Sequence, residues 1–429
     1  MKKLYTIGVV GLGYVGLPLA SELANYFKVY GYDTSKNRVD ELKIFFDRYK
    51  LVSKKDFKKK GAIKFTTDSS ELRHCNFFIV TVPTPVKKNN TPDMSYLIKA
   101  CKEIAFNLRK GSFVVFESTV YPGATRDVCV PILEKYSGLK FKKDFFIGYS
   151  PERISVGDKN KDLKNITKII SSEPKNKMSY VKDVYSKILK NKLYEAESIE
   201  VAEFAKVFEN TQRDLNISLM NELSLICNKM NINTKNVINA SSTKWNFVRY
   251  NPGLVGGHCI SVDPYYLSFK AKKIGYKTKL INAGRNVNNK MPKFVFENIK
   301  KKIDKKINLK KLKVGILGLS FKENCKDIRN SKIFDLVDIF ENNGIKTYLH
   351  DPYVLRQEVE KMYKKKITPF HKLPEKLDII VLALRHNEYV KYGSNKILKK
   401  LKSNGIFADL KSVFNEQKIK RLNYNYFCL

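Results

Sequence analysis

Residues 253–264 read Gly-Leu-Val-Gly-Gly-His-Cys-Ile-Ser-Val-Asp-Pro. Two adjacent glycines, Gly256 and Gly257, lead through His258 into Cys259, and Asp263 comes four residues later. Glycine lets a backbone approach a ligand closely and adopt φ/ψ values closed to other residues. A thiol held at such a place can attack what the backbone binds. Taken alone, the stretch fits a loop with a structural thiol equally well.

Other residues share this ambiguity. Lys206 and Asn210 stand four apart, so on a helix they share one face. A cation and an amide together can hold a developing oxyanion, although the ordinary role of such a pair is a solvated face. Ser150-Pro151-Glu152-Arg153 offers a carboxylate just after an apolar run at 145–149. Lys322 and Arg329 lie in Ser320-Phe-Lys-Glu-Asn-Cys-Lys-Asp-Ile-Arg329, where cations could meet a nucleotide diphosphate. Thr81-Val-Pro83-Thr84-Pro85 and Glu117-Ser-Thr119-Val-Tyr-Pro-Gly123 each come after an apolar run. Both put hydroxyls at strand C-termini, where open α/β sheets bind ligands.

The elements that must position these groups alternate. An apolar strand at 5–10 runs into Gly11-x-Gly13-x-x-Gly16 and then an Ala/Leu-rich helical pattern. The next strand, at 28–32, ends at Asp33, about twenty residues after the first glycine. In that setting the glycines give a tight turn and close approach to a pyrophosphate at a helix N-terminus. Asp33 would accept from a ribose hydroxyl and repel a 2′-phosphate, which favours NAD over NADP. Strands at 77–82 and 113–116 continue the alternation, which predicts a parallel sheet with helices on both faces. From 175 to 251 there is neither Gly nor Pro, and 199–230 carries apolar residues at helical spacing. One long helix is expected there, a connector and candidate dimerisation element. Strands at 313–319, 346–350, 378–384 and 405–410 then restore an α/β pattern. The predicted fold is α/β: two Rossmann-like doubly wound domains, at 1–198 and 301–429, joined by a central helical domain at 199–300.

Bulk properties bound the function. The 429 residues carry 81 Lys and Arg against 42 acids, a formal +39. The lysines are spread along the chain, and Lys, Asn and Ile are abundant together, which points to compositional bias rather than nucleic-acid binding. A basic surface would also attract phosphorylated small molecules. Seven scattered cysteines without a CxxC pair argue for a reducing cytosol and against disulfides or a metal site. The chain opens Met-Lys-Lys-Leu-Tyr with no secretory pattern, and apolar runs such as 379–384 are far too short to span a bilayer. A cytoplasmic protein without membrane contact is expected.

In this order, the motifs at 11–16, 81–85, 117–123, 150–153, 203–221, 253–264 and 317–329 resemble the UDP-glucose/GDP-mannose dehydrogenase family over nearly the whole chain. The resemblance implies oxidation of a sugar C6 alcohol to a carboxylate in two NAD-dependent steps, and a homodimer or higher oligomer built on the long helix. It implies Cys259 as nucleophile, with Lys206, Asn210, Asp263, Thr119 and Glu152 as its catalytic companions. NAD contacts fall on Gly11, Gly13, Tyr14, Val15, Gly16, Asp33, Arg38, Thr84, Thr119 and Arg329. Substrate contacts fall on Glu152, Arg153, Lys206, Asn210, Arg249, Tyr250, Gly256, His258 and Lys322; Arg249 could act across a dimer. His258 and Val262 replace the small or aromatic residue and the lysine of the UDP-glucose and GDP-mannose branches. With Thr243-Lys-Trp-Asn-Phe and Ala283-Gly-Arg285, they look most like the UDP-N-acetylglucosamine 6-dehydrogenases of Vi-antigen and O-antigen synthesis. UDP-N-acetylmannosamine, UDP-N-acetylgalactosamine and UDP-glucose are the rival substrates. A non-catalytic basic nucleotide-binding protein is the distant rival, and no catalytic group is missing to favour it.

Overall fold

The computed structural model describes residues 5–53, 57, 63–153, 166–189 and 192–429. They form two compact units: residues 1–209 with 265–277, and residues 210–264 with 278–429.

The first unit is built on an eight-stranded sheet. Its strands are β1 (Thr6–Val10), β2 (Lys28–Tyr32), β3 (Ile63–Thr66), β4 (Phe77–Val80), β5 (Ser112–Phe116), β6 (Phe145–Tyr149), β7 (Lys168–Glu173) and β8 (Leu193–Glu195). The order is β3-β2-β1-β4-β5-β6-β7-β8. The chain winds outward from β1 in both directions, which leaves a crevice at the C-terminal ends of β1 and β4. The pairing is parallel up to β6; β7 then runs antiparallel to β6, and β8 parallel to β7. Ile7, Val9, Phe77, Ile79 and Val115 point into a core shared with the helices Gly16–Leu23 and Met178–Leu189.

The second unit holds a five-stranded parallel sheet of β9 (Lys313–Leu317), β10 (Lys346–His350), β11 (Leu377–Leu382), β12 (Leu401–Asp409) and β13 (Asn425–Phe427), in the order β10-β9-β11-β12-β13. Both faces are covered. Ile379 and Val381 enter one apolar core, whereas Ile380 and Leu382 enter another.

The two sheets repeat one device. Gly11 and Gly318 take φ of 96° and 95°. The amide after each glycine donates to an aspartate at the end of the neighbouring strand: Leu12 N to Asp33 Oδ2 at 2.8 Å, and Leu319 N to Asp351 Oδ2 at 2.7 Å. They differ in what holds the aspartate. Asp351 is fully enclosed and paired with buried His386 at 3.1 Å, while Asp33 stays partly open.

The long helix Ile199–Lys229 begins at the expected residue, stops one short of residue 230, and contributes to both units. The breaker-free stretch before it is not all helix, because β8 lies within it. The helix departs at many positions from the usual amphipathic rule. Glu203, Asn210, Asp214, Ser218 and Asn221 are buried, while Val201, Phe204, Phe208, Leu219 and Ile226 are exposed. Among the described residues no helix is long and apolar enough to cross a membrane.

Candidate active site

In the first unit the glycine turn is shaped by its own backbone. A Cβ on Gly16 would sit 1.8 Å from the Gly11 carbonyl oxygen and 2.4 Å from Thr81 Oγ1. That position is glycine because the helix must start against the turn. A Cβ on Gly13 would meet nothing within 4 Å, so this part of the turn faces open space. No side chain caps the helix Gly16–Leu23, which leaves its first N–H groups for an anion. Asp33 bridges the Leu12 and Ser35 amides at 2.8 Å each. Arg38 is buried: its Nε donates to the Leu12 carbonyl oxygen at 2.9 Å and its Nη1 to Asp47 at 2.8 Å. Its visible work is to tie the glycine turn to the segment after residue 46, and the ring of Tyr49 lies under it at 5.1 Å. Tyr14 packs against that same ring, tilted by 36° with centroids 4.7 Å apart. An open turn, uncapped amides and a strand-end carboxylate are what a dinucleotide without a 2′-phosphate needs.

The strand-end loops beyond β4 and β5 are locked together. Thr84 Oγ1 donates to the Thr119 carbonyl oxygen at 2.6 Å, and the hydroxyl of buried Tyr266 donates to the Thr84 carbonyl oxygen at 2.7 Å. Glu203 reaches from the long helix to accept the Gly123 and Thr125 amides at 2.5 and 2.9 Å. Burial pushes its carboxyl up to about 7 in spite of those two donors. One turn on, Lys206 donates to the Glu152 carbonyl oxygen at 2.5 Å. The structure therefore brings Lys206 and Glu152 into direct contact. Arg153 is committed to Glu209 at 2.8 Å and to the Thr167 carbonyl oxygen at 3.0 Å.

In the second unit Cys259 lies in a tight turn whose carbonyl oxygen accepts from the amides of Val262 and Asp263 at 3.0 and 2.8 Å. Asp263 opens the helix Asp263–Lys273 and is buried. Asn210 Nδ2 donates to Asp263 Oδ2 at 2.6 Å. Cys259, Asp263 and Asn210 thus form one cluster. The two glycines serve packing, not only ligand approach as the sequence led us to expect. A Cβ on Gly256 would lie 2.5 Å from the Asn330 carbonyl oxygen; one on Gly257, whose φ is 92°, would lie 2.7 Å from the Phe321 ring. The cysteine loop is seated on the segment that carries Lys322 and Arg329. Asn221 fixes the start of the loop, receiving the Gly253 amide at 2.8 Å and donating to the Gly253 carbonyl oxygen at 3.1 Å.

Next to the cysteine, His258 Nδ1 is 3.5 Å from Asp327, which also binds Arg329. Burial works against the charge of Asp327, but Arg329 and His258 hold its carboxyl below the ordinary range. A separate polar cleft of about 610 Å³ is lined by Arg249, Arg385, Lys411, Lys235, Asn324 and Asn387 among others. Arg249 lines it; Lys322, Tyr250, Gly256 and His258 do not. Sequence reasoning missed Arg385 and Asn387, although they stand directly after a recognisable strand end. It missed Lys411 and Lys235 because one lysine is no signal in so basic a chain.

A dinucleotide turn in the first unit and, in the second, a partly exposed cysteine whose turn leads into a buried carboxyl–amide pair mark a nicotinamide-dependent dehydrogenase of the doubly wound α/β class. The family is then shown directly. Three descriptions of the UDP-glucose/GDP-mannose dehydrogenase family match in order: its NAD binding domain over residues 5–189, its central domain over 200–290 and its UDP binding domain over 315–416. The chain belongs to this family and is an NAD-dependent nucleotide-sugar dehydrogenase. It is 45% identical to a UDP-N-acetyl-D-glucosamine 6-dehydrogenase of Salmonella typhi, covering 95% of this chain and 96% of that one. It is 44% identical to a protein of the same description from Pseudomonas aeruginosa, covering 96% and 98%. Among solved structures, a UDP-D-ManNAc dehydrogenase from Pyrococcus horikoshii superposes with a TM-score of 0.88 at 28% identity, covering 99% of this chain and 98% of that one.

Proposed function

We propose that this enzyme oxidises the C6 alcohol of a UDP-N-acetylhexosamine, UDP-N-acetylglucosamine before its epimers, to the uronic acid through covalent intermediates on Cys259. The observation that carries the reading is the cluster of a partly exposed thiol, Cys259, with buried Asp263 and its partner Asn210. The other cysteines except Cys428 are buried, and burial pushes the Cys428 thiol up. The high identity to two UDP-N-acetyl-D-glucosamine 6-dehydrogenases supports the sugar.

NAD⁺ bound at the glycine turn supplies the hydride acceptor for each of the two oxidations. Asp263 or Lys206, linked to solvent, relays the O6 proton. The Cys259 thiolate adds to the C6 aldehyde as a thiohemiacetal and retains it as the thioester after the second oxidation. Lys206 and Asn210 stabilise the tetrahedral oxyanions. Water adds to the thioester carbon, the carbon–sulfur bond breaks, and Glu152, Thr119 and Asp263 orient the water or take its proton. The cations of the cleft hold the diphosphate of the nucleotide, with Lys322 and Arg153 as further substrate contacts and Arg329 and Thr84 beside the cofactor. The product serves surface-polysaccharide synthesis. The exposed apolar row Val201, Phe204, Phe208, Leu219 and Ile226 supports a second copy as the long helix's cover.

The test is a panel of UDP-N-acetylglucosamine, UDP-N-acetylmannosamine, UDP-N-acetylgalactosamine and UDP-glucose, read as NADH formed and product mass. Two NADH per UDP-N-acetylglucosamine, with the highest kcat/KM in the panel, is the expected result. A higher kcat/KM for UDP-glucose refutes the sugar assignment, and no NADH with any of them refutes the reading.

A further inference from the structure

Lys168 on β7 has only 5% of its side chain exposed, yet it carries an ammonium into the interior of the first unit. Nζ lies 2.9 Å from Glu117 Oε2, 3.7 Å from Glu152 Oε2 and 3.5 Å from the Pro151 carbonyl oxygen. Glu117 stands just after β5 and is fully enclosed; its other oxygen accepts from the buried Tyr185 hydroxyl. The ammonium also lies over the Tyr185 ring at 5.3 Å. Burial works against the charge of Lys168, and the two carboxylates outweigh it and favour the ammonium.

The two carboxylates are not equivalent. Glu117 is inside and held on both oxygens. Glu152 is at the outer end with 14% of its side chain exposed, and its Oε1 accepts from the Arg153 amide at 2.6 Å. A buried charge cluster is a weak source of stability, because apolar side chains of the same volume usually do as well. Its specific effect here is directional: a buried cation, anchored from behind by Glu117, faces one oxygen of the carboxylate that reaches solvent.

We propose that Lys168 is a positioning residue, anchored by Glu117, that fixes the Glu152 carboxylate for taking the proton of the water that hydrolyses the Cys259 thioester. The inference rests on the covalent reading above. In the step concerned, the water oxygen bonds to the thioester carbon, the proton passes to Glu152, and sulfur leaves as the Cys259 thiolate. No oxidant is consumed. Loss of Lys168 therefore slows only the hydrolytic step and leaves the two oxidations before it untouched.

Lys168→Met alone would strand Glu117 as an unpaired buried carboxylate and could unfold the unit. The test is the double variant Lys168→Met/Glu117→Gln, in which the glutamine oxygen still accepts from Tyr185. Folding is checked by circular dichroism. Stopped-flow absorbance with UDP-N-acetylglucosamine and NAD⁺ then separates first-turnover NADH from steady-state NADH, and intact-protein mass after acid quench reads the adduct on Cys259. The expected result is a first-turnover burst of two NADH per site at the wild-type rate. Steady-state turnover should fall by roughly tenfold or more, with a sugar-nucleotide acyl adduct accumulating. Unchanged steady-state turnover overturns the proposal, as does a burst that falls in step with turnover, the mark of a merely structural role. Failure of the covalent reading itself looks different: the wild-type enzyme would turn over while a folded Cys259→Ala variant did so equally well.

Discussion

Asn210 Nδ2 lies 2.6 Å from Asp263 Oδ2, and both side chains are buried. The amide satisfies a carboxyl group that opens the helix after the cysteine turn, so one residue holds both that side chain and the end of the turn. If Asn210 also donates to the oxyanion, Asn210→Ala lowers kcat by about 10²–10³-fold, the usual cost of one such donor. Asn210→Asp places two carboxylates in contact and should be worse, with a lower Tm. Steady-state kinetics and thermal melts of both variants check this. Asn210→Ala at wild-type kcat sinks the oxyanion role.

Asp33 bridges the amides of Leu12 and Ser35 and stays partly open, whereas its counterpart Asp351 is sealed by His386. Only the first of these carboxylates can reach a ribose. Wild-type enzyme should therefore show far higher kcat/KM with NAD⁺ than with NADP⁺, and Asp33→Asn should narrow the ratio by removing the charge. Comparable kcat/KM for the two cofactors in the wild type would show that Asp33 does not discriminate.

Gly253 and Gly256 separate two kinds of crowding. A Cβ at Gly253 would meet Lys411 Nζ at 2.6 Å, the far end of a flexible side chain. A Cβ at Gly256 would meet the Asn330 carbonyl oxygen at 2.5 Å and the Lys332 amide nitrogen at 2.9 Å, both backbone. Gly253→Ala should keep kcat within about threefold, since one lysine tip can move. Gly256→Ala should lift the cysteine loop off its seat and abolish turnover while NAD⁺ binding, read by fluorescence titration, persists. Equal activity of the two variants would refute the seating argument.

Much of this was legible in the residues. The strands at 28–32, 145–149 and 346–350 stand out because each is a short run with a turn or loop signal directly after it, and the structure keeps those bounds. β7 did not stand out: Lys-Ile-Ile-Ser-Ser-Glu ends in polar residues, and its burial depends on partners such as Glu117 and Tyr149 far away in the chain. The long helix was found by its apolar spacing, but which face is buried could not be read. Asn210, Asp214 and Asn221 would ordinarily face water. They are buried because Asp214 finds Arg285 at 2.6 Å, Asn221 finds Gly253, and Asn210 finds Asp263. Lys206 and Cys259 were singled out by motif; Lys168, Lys235 and Lys411 were hidden by the lysine background.

Glu203 gives stability a pH dependence. Its carboxyl is raised from the ordinary 4.5 to about 7, so the folded protein holds that proton more tightly than the unfolded chain. The contribution is complete below pH 4.5 and is lost as pH rises through 7. The loss amounts to about 3 kcal/mol at most. Glu203→Gln removes this titration and should flatten the dependence. Urea midpoints across the window, compared between variant and wild type, check it. Parallel curves for the two proteins would show that Glu203 does not titrate there.

Cys259 separates covalent catalysis from a structural thiol. It is partly exposed in a turn held by two amides, and a smaller side chain there opens no core cavity. Cys259→Ala should fold, bind NAD⁺ and fail to make the acid. Cys259→Ser can still add to an aldehyde, but an alkoxide leaves less readily than a thiolate, so the ester hydrolyses slowly and sugar should remain on the protein. Turnover should fall by several orders of magnitude, with an adduct visible by intact-protein mass. Serine substitution of buried Cys75, Cys101, Cys129, Cys227 or Cys325 should alter stability without such an adduct. NADH formed per UDP-sugar and the mass spectrum decide together. Full conversion to the uronic acid by folded Cys259→Ala would remove the thiol from the mechanism and leave the family's two-step oxidation to be explained by Lys206, Asn210 and Asp263 alone.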